Sequence, residues 1–426
     1  MSRASPAPPL DGGVLLEEIL EEILLRLPPQ PSSLPRASLV CTRWRRILAD
    51  PDFRRRFREH HGRNNPPPLL GFFEKEFRVD KPPIFNPTAT GERDRIPPAR
   101  FSAPWSLGEG WEFLGCRHGL ALLICRARRE VVVWDPLTGH QRRVGFPPGW
   151  KPVQNAAVMC AAGGGQDGHV HGDCRFTPFR LALVRSDSTG TRHFACLYES
   201  ESGVWGDIVS VESAHSTSTC IANPSVLLRN SFCWLMSGGA ILEFDFRNHS
   251  LAVTQKPADA HPILHGAPDH YWSFYAIRTE HCGLGLAVLS DTDYVSKIIQ
   301  LWERKSDCDG VVGWELQKTI QLDGLFSPRP EMGQNAILMQ GYDEDTNAIF
   351  LSTFFGDYML QLESTRFTNL FKTRRRYISS STYCPYRNFY ITGNSLSLYW
   401  YWYIQHELSD GPISGEWATT ALKLYC

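Results

Sequence analysis

The chain has 426 residues, and its 44 Lys and Arg against 45 Asp and Glu give a formal net charge of −1. That length accommodates two or three domains, and so even a balance argues against a nucleic-acid or anionic-membrane role. No apolar run reaches the roughly 20 residues needed to span a bilayer. The Pro/Ala/Ser-rich start is unlike a signal peptide. The twelve cysteines include no Cys-x-x-Cys pair and read as reduced, mostly buried thiols. A soluble cytoplasmic or nuclear chain is expected, without cofactor or bound metal.

The first predicted element is an amphipathic helix over Leu15–Leu27. At helical spacing Leu15, Leu16, Ile19, Leu20, Ile23, Leu24 and Leu27 fill one face, and Glu17, Glu18, Glu21 and Glu22 the other. The apolar face spans roughly 180°, against roughly 100° for a surface helix packed on one core. Two short helices cannot cover it, so the excess calls for a second protein. Pro28-Pro29 stops the helix. A second helix is expected near Pro35, capped by Ser32 or Ser33, with Ala37, Val40, Cys41, Trp44, Ile47 and Leu48 recurring at helical spacing. Asp50-Pro51 then opens a third helix, with Asp as N-cap and Pro at the first position, and Phe53 and Phe57 mark its buried side. The arginines between Arg43 and Arg58 make this segment basic, which reads as a solvated face.

These residues resemble an F-box. The resemblance rests on Leu15, on Glu22-Ile23-Leu24-Leu25-Arg26-Leu27-Pro28, on Leu39-Val40-Cys41-Thr42-Arg43-Trp44-Arg45, and on Asp50-Pro51-Asp52-Phe53. One departure is Leu16, where F-boxes usually carry Pro after the first Leu. The resemblance implies that Leu15, Ile19, Leu20, Ile23, Leu24, Leu27, Pro28, Leu39, Val40, Cys41 and Trp44 supply the contact with a Skp-family adaptor. Some of them must instead fill the domain's own core, and the sequence does not divide them.

After Asn64-Asn65-Pro66-Pro67-Pro68, helical periodicity gives way to short β-type runs separated by turns. Very apolar runs start at Gly119, Arg180, Ser231, Gly283 and Asn347, spaced by 61, 51, 52 and 64 residues. Each is followed by a more amphipathic run, from Val131, Cys196, Ile241, Ile298 and Tyr358. A period near 50 residues is that of kelch-type propeller blades, with a β-sandwich as the competing architecture. An early unit at Leu69–Phe73 with Ile84-Phe85, and a late one from Asn388, would bring the count to six or seven. Cys116-Arg117-His118-Gly119-Leu120 and Val133-Trp134-Asp135-Pro136-Leu137-Thr138-Gly139, with Ile241–Asp245, Leu301–Lys305 and Gly341–Asp345, resemble the F-box-associated β domains of plant families expanded in grasses. The expected fold class is α+β multidomain: a disordered leader (1–12), a three-helix F-box (13–62), an all-β propeller-like domain (66–393) and a divergent tail (394–426).

Chemistry-bearing motifs are sparse. His169, His171 and Cys174, with Cys160 upstream, lack the paired spacing that preorganises a zinc site and adjoin a glycine-rich run, so a mobile loop is expected. Gly283-Leu284-Gly285 lacks the third glycine and helix of a dinucleotide loop. Asp343, Glu344 and Asp345 fall in a predicted turn. The F-box resemblance implies a non-catalytic substrate receptor of an SCF-type ubiquitin ligase. Its partners would be a Skp-family adaptor, through it a cullin, and an unidentified target held by the β domain. A non-degradative scaffold and a propeller enzyme are the alternatives.

Overall fold

A computed structural model describes residues 12–63, 65–76, 82–88, 96, 101, 110–150, 153–162, 169–172, 174, 177–214, 223–262, 273–292, 296–306, 312–322, 337–353, 355–371 and 381–391. Residues 1–11 of the expected leader, the Gly163–Gly168 run and the tail from 394 lie outside these residues. The chain divides into two units, Met1–Arg63 with Phe389–Cys426, and Asn64–Asn388.

In the first unit, α1 (Gly12–Leu25) ends ahead of Pro28-Pro29 and is followed by α2 (Ser33–Ala37), α3 (Thr42–Ala49) and α4 (Pro51–Gly62). Four helices thus stand where three were expected. The apolar spacing from Ala37 to Leu48 continues through a break, because Cys41 is extended at φ −163° and ψ 170°. Asp50 caps α4 as expected, its carboxylate accepting from the Asp52 amide at 3.2 Å. Ser32 precedes α2 without a side-chain cap. Leu24, Leu25, Leu34, Ile47, Phe53 and Phe57 form the core.

The second unit is a six-bladed β-propeller. Blade 1 joins β1 (Leu69–Glu76) and β2 (Ile84–Pro87) to β24 (Ser381–Arg387), in the order β2-β1-β24. Blade 2 is β3 (Trp111–Arg117), β4 (Leu120–Cys125), β5 (Glu130–Trp134) and β6 (Gln141–Gly145). Blade 3 is β7 (Asn155–Cys160), β8 (Phe179–Ser186) and β9 (Arg192–Glu199), with β10 (Val204–Trp205) and β11 (Val209–Glu212) both on the edge of β9. Blade 4 is β12 (Val226–Leu228), β13 (Ser231–Leu235), β14 (Ile241–Asp245) and β15 (Ser250–Thr254). Blade 5 is β16 (Phe274–Arg278), β17 (Leu284–Thr292), β18 (Ser296–Ser306) and β19 (Val312–Gln321). Blade 6 is β20 (Ile337–Asp343), β21 (Ala348–Thr353), β22 (Gly356–Gln361) and β23 (Phe367–Phe371).

All these pairings are antiparallel, and the apolar runs read from the sequence are the second strands β4, β8, β13, β17 and β21. A second strand lies inside its sheet with neighbouring blades on both faces, so β4 and β21 are buried at every position. The outermost β19 is mostly exposed. The early unit is completed not by the unit expected from Asn388, where residues 388–391 form no strand, but by β24 just before it, with Gly71 of β1 paired with Tyr386. That fixes the count at six. First strands of successive blades pack on one another around the axis, β24 between β20 and β3. At the contact between blades 6 and 1, Gly341 lies against the Tyr383 carbonyl with no space for a Cβ.

Candidate functional site

The rotation of α1 decides which side chains the helical unit presents. Leu24 and Leu25 point into its core. On the same side, Glu21, one turn earlier, pairs with Arg56 of α4 and Glu17, two turns earlier, with Arg46 of α3, each at 2.7 Å. Both pairs are partly exposed and add little stability; their role is to fix the helix's rotation. The arginines expected on a solvated face are thus partly engaged by the acidic face of α1. Ile19 and Ile23, about 200° around the helix from Glu17 and Glu21, are turned outward and remain 50% and 53% exposed. The break between α2 and α3 presents Val40, 62% exposed, and exposed Cys41.

The predicted contact set therefore divides. Ile19, Ile23, Pro28, Val40 and Cys41 are exposed, and Leu20, Leu27, Leu39 and Trp44 are half-buried. Leu24, at 0% exposure, belongs to the domain's own core. Leu15 lies in α1, but its side chain is outside the described residues. At the other end of the helix, the Leu25 carbonyl is capped by the His61 ring at 2.9 Å. Burial holds the His61 pKa below its ordinary value, against the opposing effect of this bond.

In the propeller, the axis is closed by charge. Arg117, at the end of β3 and with a side chain only 7% exposed, makes a two-pronged pair with Glu344. It also donates to the carbonyl oxygens of Val158 at 3.1 Å and Ser225 at 2.6 Å. Glu344 in turn accepts from the Leu227 amide at 2.9 Å. One arginine and one glutamate thereby tie blades 2, 3, 4 and 6 together. Asp343 does serve the turn that the sequence suggests, accepting from the Asp345 amide at 3.2 Å and the Thr346 hydroxyl at 2.6 Å. It also receives Arg387 of β24 at 2.5 Å. About 50 Å³ of free space remains among these side chains, well below the roughly 300 Å³ at which small-molecule pockets begin.

For Cys160, His169, His171 and Cys174 the irregular spacing led to the expectation of a mobile loop rather than a cluster. The structure brings their ligand atoms within 4.8 Å of one another. The pairing of β7 with β8 sets Cys160 opposite Phe179, so the end of the connection folds back onto its start. Two cysteines and two histidines between adjacent strands were the available signal, hidden by their irregular spacing. The adjoining glycine run, Gly163–Gly168, lies outside the described residues.

Residues 17–60 match the family model described as F-box-like, and the N-terminal helices form an F-box-like domain. No curated protein gives a significant match. Solved structures similar to this chain include a protein of unknown function from Bacteroides thetaiotaomicron (14% identity, TM-score 0.32, covering 61% of this chain and 56% of that one). The WD40 domain of SCAP from fission yeast is similar at 12% identity and TM-score 0.33, covering 62% of this chain and 55% of that one. A protein of unknown function from Bacteroides caccae matches at 9% identity and TM-score 0.37, covering 75% of this chain and all of that one. The chain spans little more than half the length of the first two. Among the described residues, no helix is long and apolar enough to cross a membrane.

Proposed function

We propose that this chain is the substrate-recognition subunit of an SCF-type cullin–RING ubiquitin ligase. It holds a Skp-family adaptor through its F-box-like domain, and through the adaptor a cullin, while the propeller holds a target protein. The observation that carries the reading is the outward set Ile19, Ile23 and Val40, large apolar side chains left half or more exposed on an F-box-like domain. Three large apolar side chains left exposed on so small a domain support an interaction site there. The adaptor contact consists of these three with Pro28 and Cys41, bordered by Leu20, Leu27, Leu39 and Trp44.

The chain does no bond chemistry in this reading. Its contribution is proximity: a target held beside a ubiquitin-charged enzyme presents its lysines at raised effective concentration. The narrow, ion-paired axis of the propeller supports a role in binding proteins rather than converting a small molecule. Recognition falls to loops carried by the rigid blades. The motifs at Cys116–Leu120 and Val133–Gly139 support membership of the grass-type plant F-box proteins, working in cytoplasm or nucleus. The domain division is a leader over 1–12, the F-box over 13–62, the propeller over 66–393 and a divergent tail from 394.

The test is co-purification of the tagged full chain with adaptor and cullin. Ile23→Asp and Val40→Asp place a charge where the interface is dry, at a cost of several kcal/mol, and are expected to abolish capture while leaving the circular dichroism spectrum intact. Proteasome inhibition should raise the level of proteins captured by the propeller. Wild-type adaptor capture by both variants refutes the assignment.

A further inference from the structure

The connection between β7 and β8 gathers four side chains that the function proposed above does not use. Cys160 ends β7, and His169, His171 and Cys174 lie on the chain returning to β8. Both cysteines are buried, at 1% and 3% exposure, and both histidines are half-buried. Cys160 Sγ lies 3.4 Å from His169 Nε2. Cys174 Sγ lies 3.6 Å from the same nitrogen and 3.5 Å from His171 Nδ1.

Those lengths match the sulfur–nitrogen edges of a tetrahedral zinc site. Zinc binds sulfur at about 2.3 Å and imidazole nitrogen at about 2.05 Å in tetrahedral sites, which separates a sulfur and a nitrogen on the same ion by about 3.6 Å. The three observed separations fall within about 0.2 Å of that edge. Thiol–imidazole hydrogen bonds explain such groups in pairs. They give no reason for two sulfurs and two nitrogens to converge on a volume one ion across.

The surroundings hold the four in place. The Cys160 amide donates to His118 Nδ1 at 3.2 Å, and the His118 ring stacks on His171 at 3.6 Å with 3° between planes. His118 occupies the turn after β3 at φ 54°, so blade 2 orients two ligands of blade 3. The Thr177 hydroxyl lies 3.1 Å from Cys160 Sγ and donates to the Cys174 carbonyl at 2.7 Å. Outer partners of this kind are what orient metal ligands.

We propose that Cys160, His169, His171 and Cys174 form a four-coordinate structural zinc site that pins the β7–β8 connection. Two thiolates and two imidazoles suit zinc rather than the hard cations calcium and magnesium. Four protein ligands leave no open position for substrate, so the ion fixes a surface and does not catalyse. The site rests on blades 2 and 3 alone and stands independently of adaptor binding.

The test uses the full-length chain, produced with zinc in the medium, kept reduced and passed over a chelating resin. Elemental analysis is expected to give one zinc ion per chain, released as a mercurial reagent titrates the thiols. Cys174→Ser and His169→Ala should each remove the zinc. Cys233→Ala, at a buried thiol of blade 4, should keep it. Because a ligand variant can fail to fold, the wild-type chain is also exchanged with cobalt. Intense visible ligand-field bands with thiolate charge transfer are expected. A folded wild-type chain that retains neither zinc nor tetrahedral cobalt overturns the proposal, as does Cys174→Ser binding as much zinc as wild type.

Discussion

Truncation of the outward side chains of the helical unit gives a quantitative test of the adaptor surface. Full burial of an Ile or Val side chain contributes about 1.5–3 kcal/mol. Ile19, Ile23 and Val40 still expose 50%, 53% and 62% of their area, so covering each one is worth about 1 kcal/mol. Ile23→Ala should weaken adaptor binding about fivefold. The triple change to Ala at these positions should lose about 3 kcal/mol, or a factor of about 150. Since about half of each side chain is already exposed in the free domain, the thermal midpoint should fall less than it does for a fully buried position. Leu24→Ala is the counterpart. At 0% exposure it should destabilise the small domain by about 2–5 kcal/mol and reduce binding only through the folded fraction. Titration calorimetry with a purified Skp-family adaptor, alongside thermal unfolding of each variant, separates the two behaviours. A triple variant that binds within twofold of wild type refutes the reasoning.

Three further outcomes concern the propeller. Glu344→Ala strands the Arg117 guanidinium, 7% exposed, and should cost about 3–5 kcal/mol in urea unfolding with adaptor affinity unchanged; a loss below about 1 kcal/mol contradicts the central role given to the pair. Gly341→Ala drives a Cβ into the Tyr383 carbonyl and should lower stability by about 1–3 kcal/mol, read from thermal unfolding; a neutral result means that blades 6 and 1 are less closely packed than described. Burial raises the Glu112 pKa, but Lys75 and Arg126 outweigh it and leave the carboxyl below its ordinary 4.5. Its contribution is therefore present above 4.5 and lost as pH falls through the lower folded value, so Glu112→Gln should flatten the acid limb of a stability–pH curve, and an unchanged limb counts against the pairing.

What the sequence made legible follows from how local each signal is. Second strands such as Leu120–Cys125 are apolar at every position because blades cover both faces, and that run is visible without any knowledge of the partners. First strands are masked by polar residues with distant partners: β20 buries Gln340 and Asp343 at 0% and 1%, and Asp343 is satisfied by Arg387. Outer strands such as Val312–Gln321 carry too many exposed polar positions to read as core. The F-box motif is contiguous and was legible. The direction of its helix was not, since Glu17 and Glu21 find Arg46 and Arg56 on later helices. The Cys160–Cys174 cluster depends on a strand register, which no spacing rule encodes.

Blade 1 has a consequence for the order in which the chain folds. Its β1 and β24 come from opposite ends of the propeller sequence, as in the pairing of Gly71 with Tyr386. The entropy of closing so long a loop grows only as its logarithm, so the completed ring is not penalised heavily for the separation. Timing is a different matter. At about 5–20 residues per second of synthesis, the early strands wait tens of seconds for Ser381–Arg387 to emerge. During that interval β1 presents an unpaired edge, and unpaired edges invite pairing with other chains. A nascent chain halted before Ser381 is therefore an aggregation-prone species.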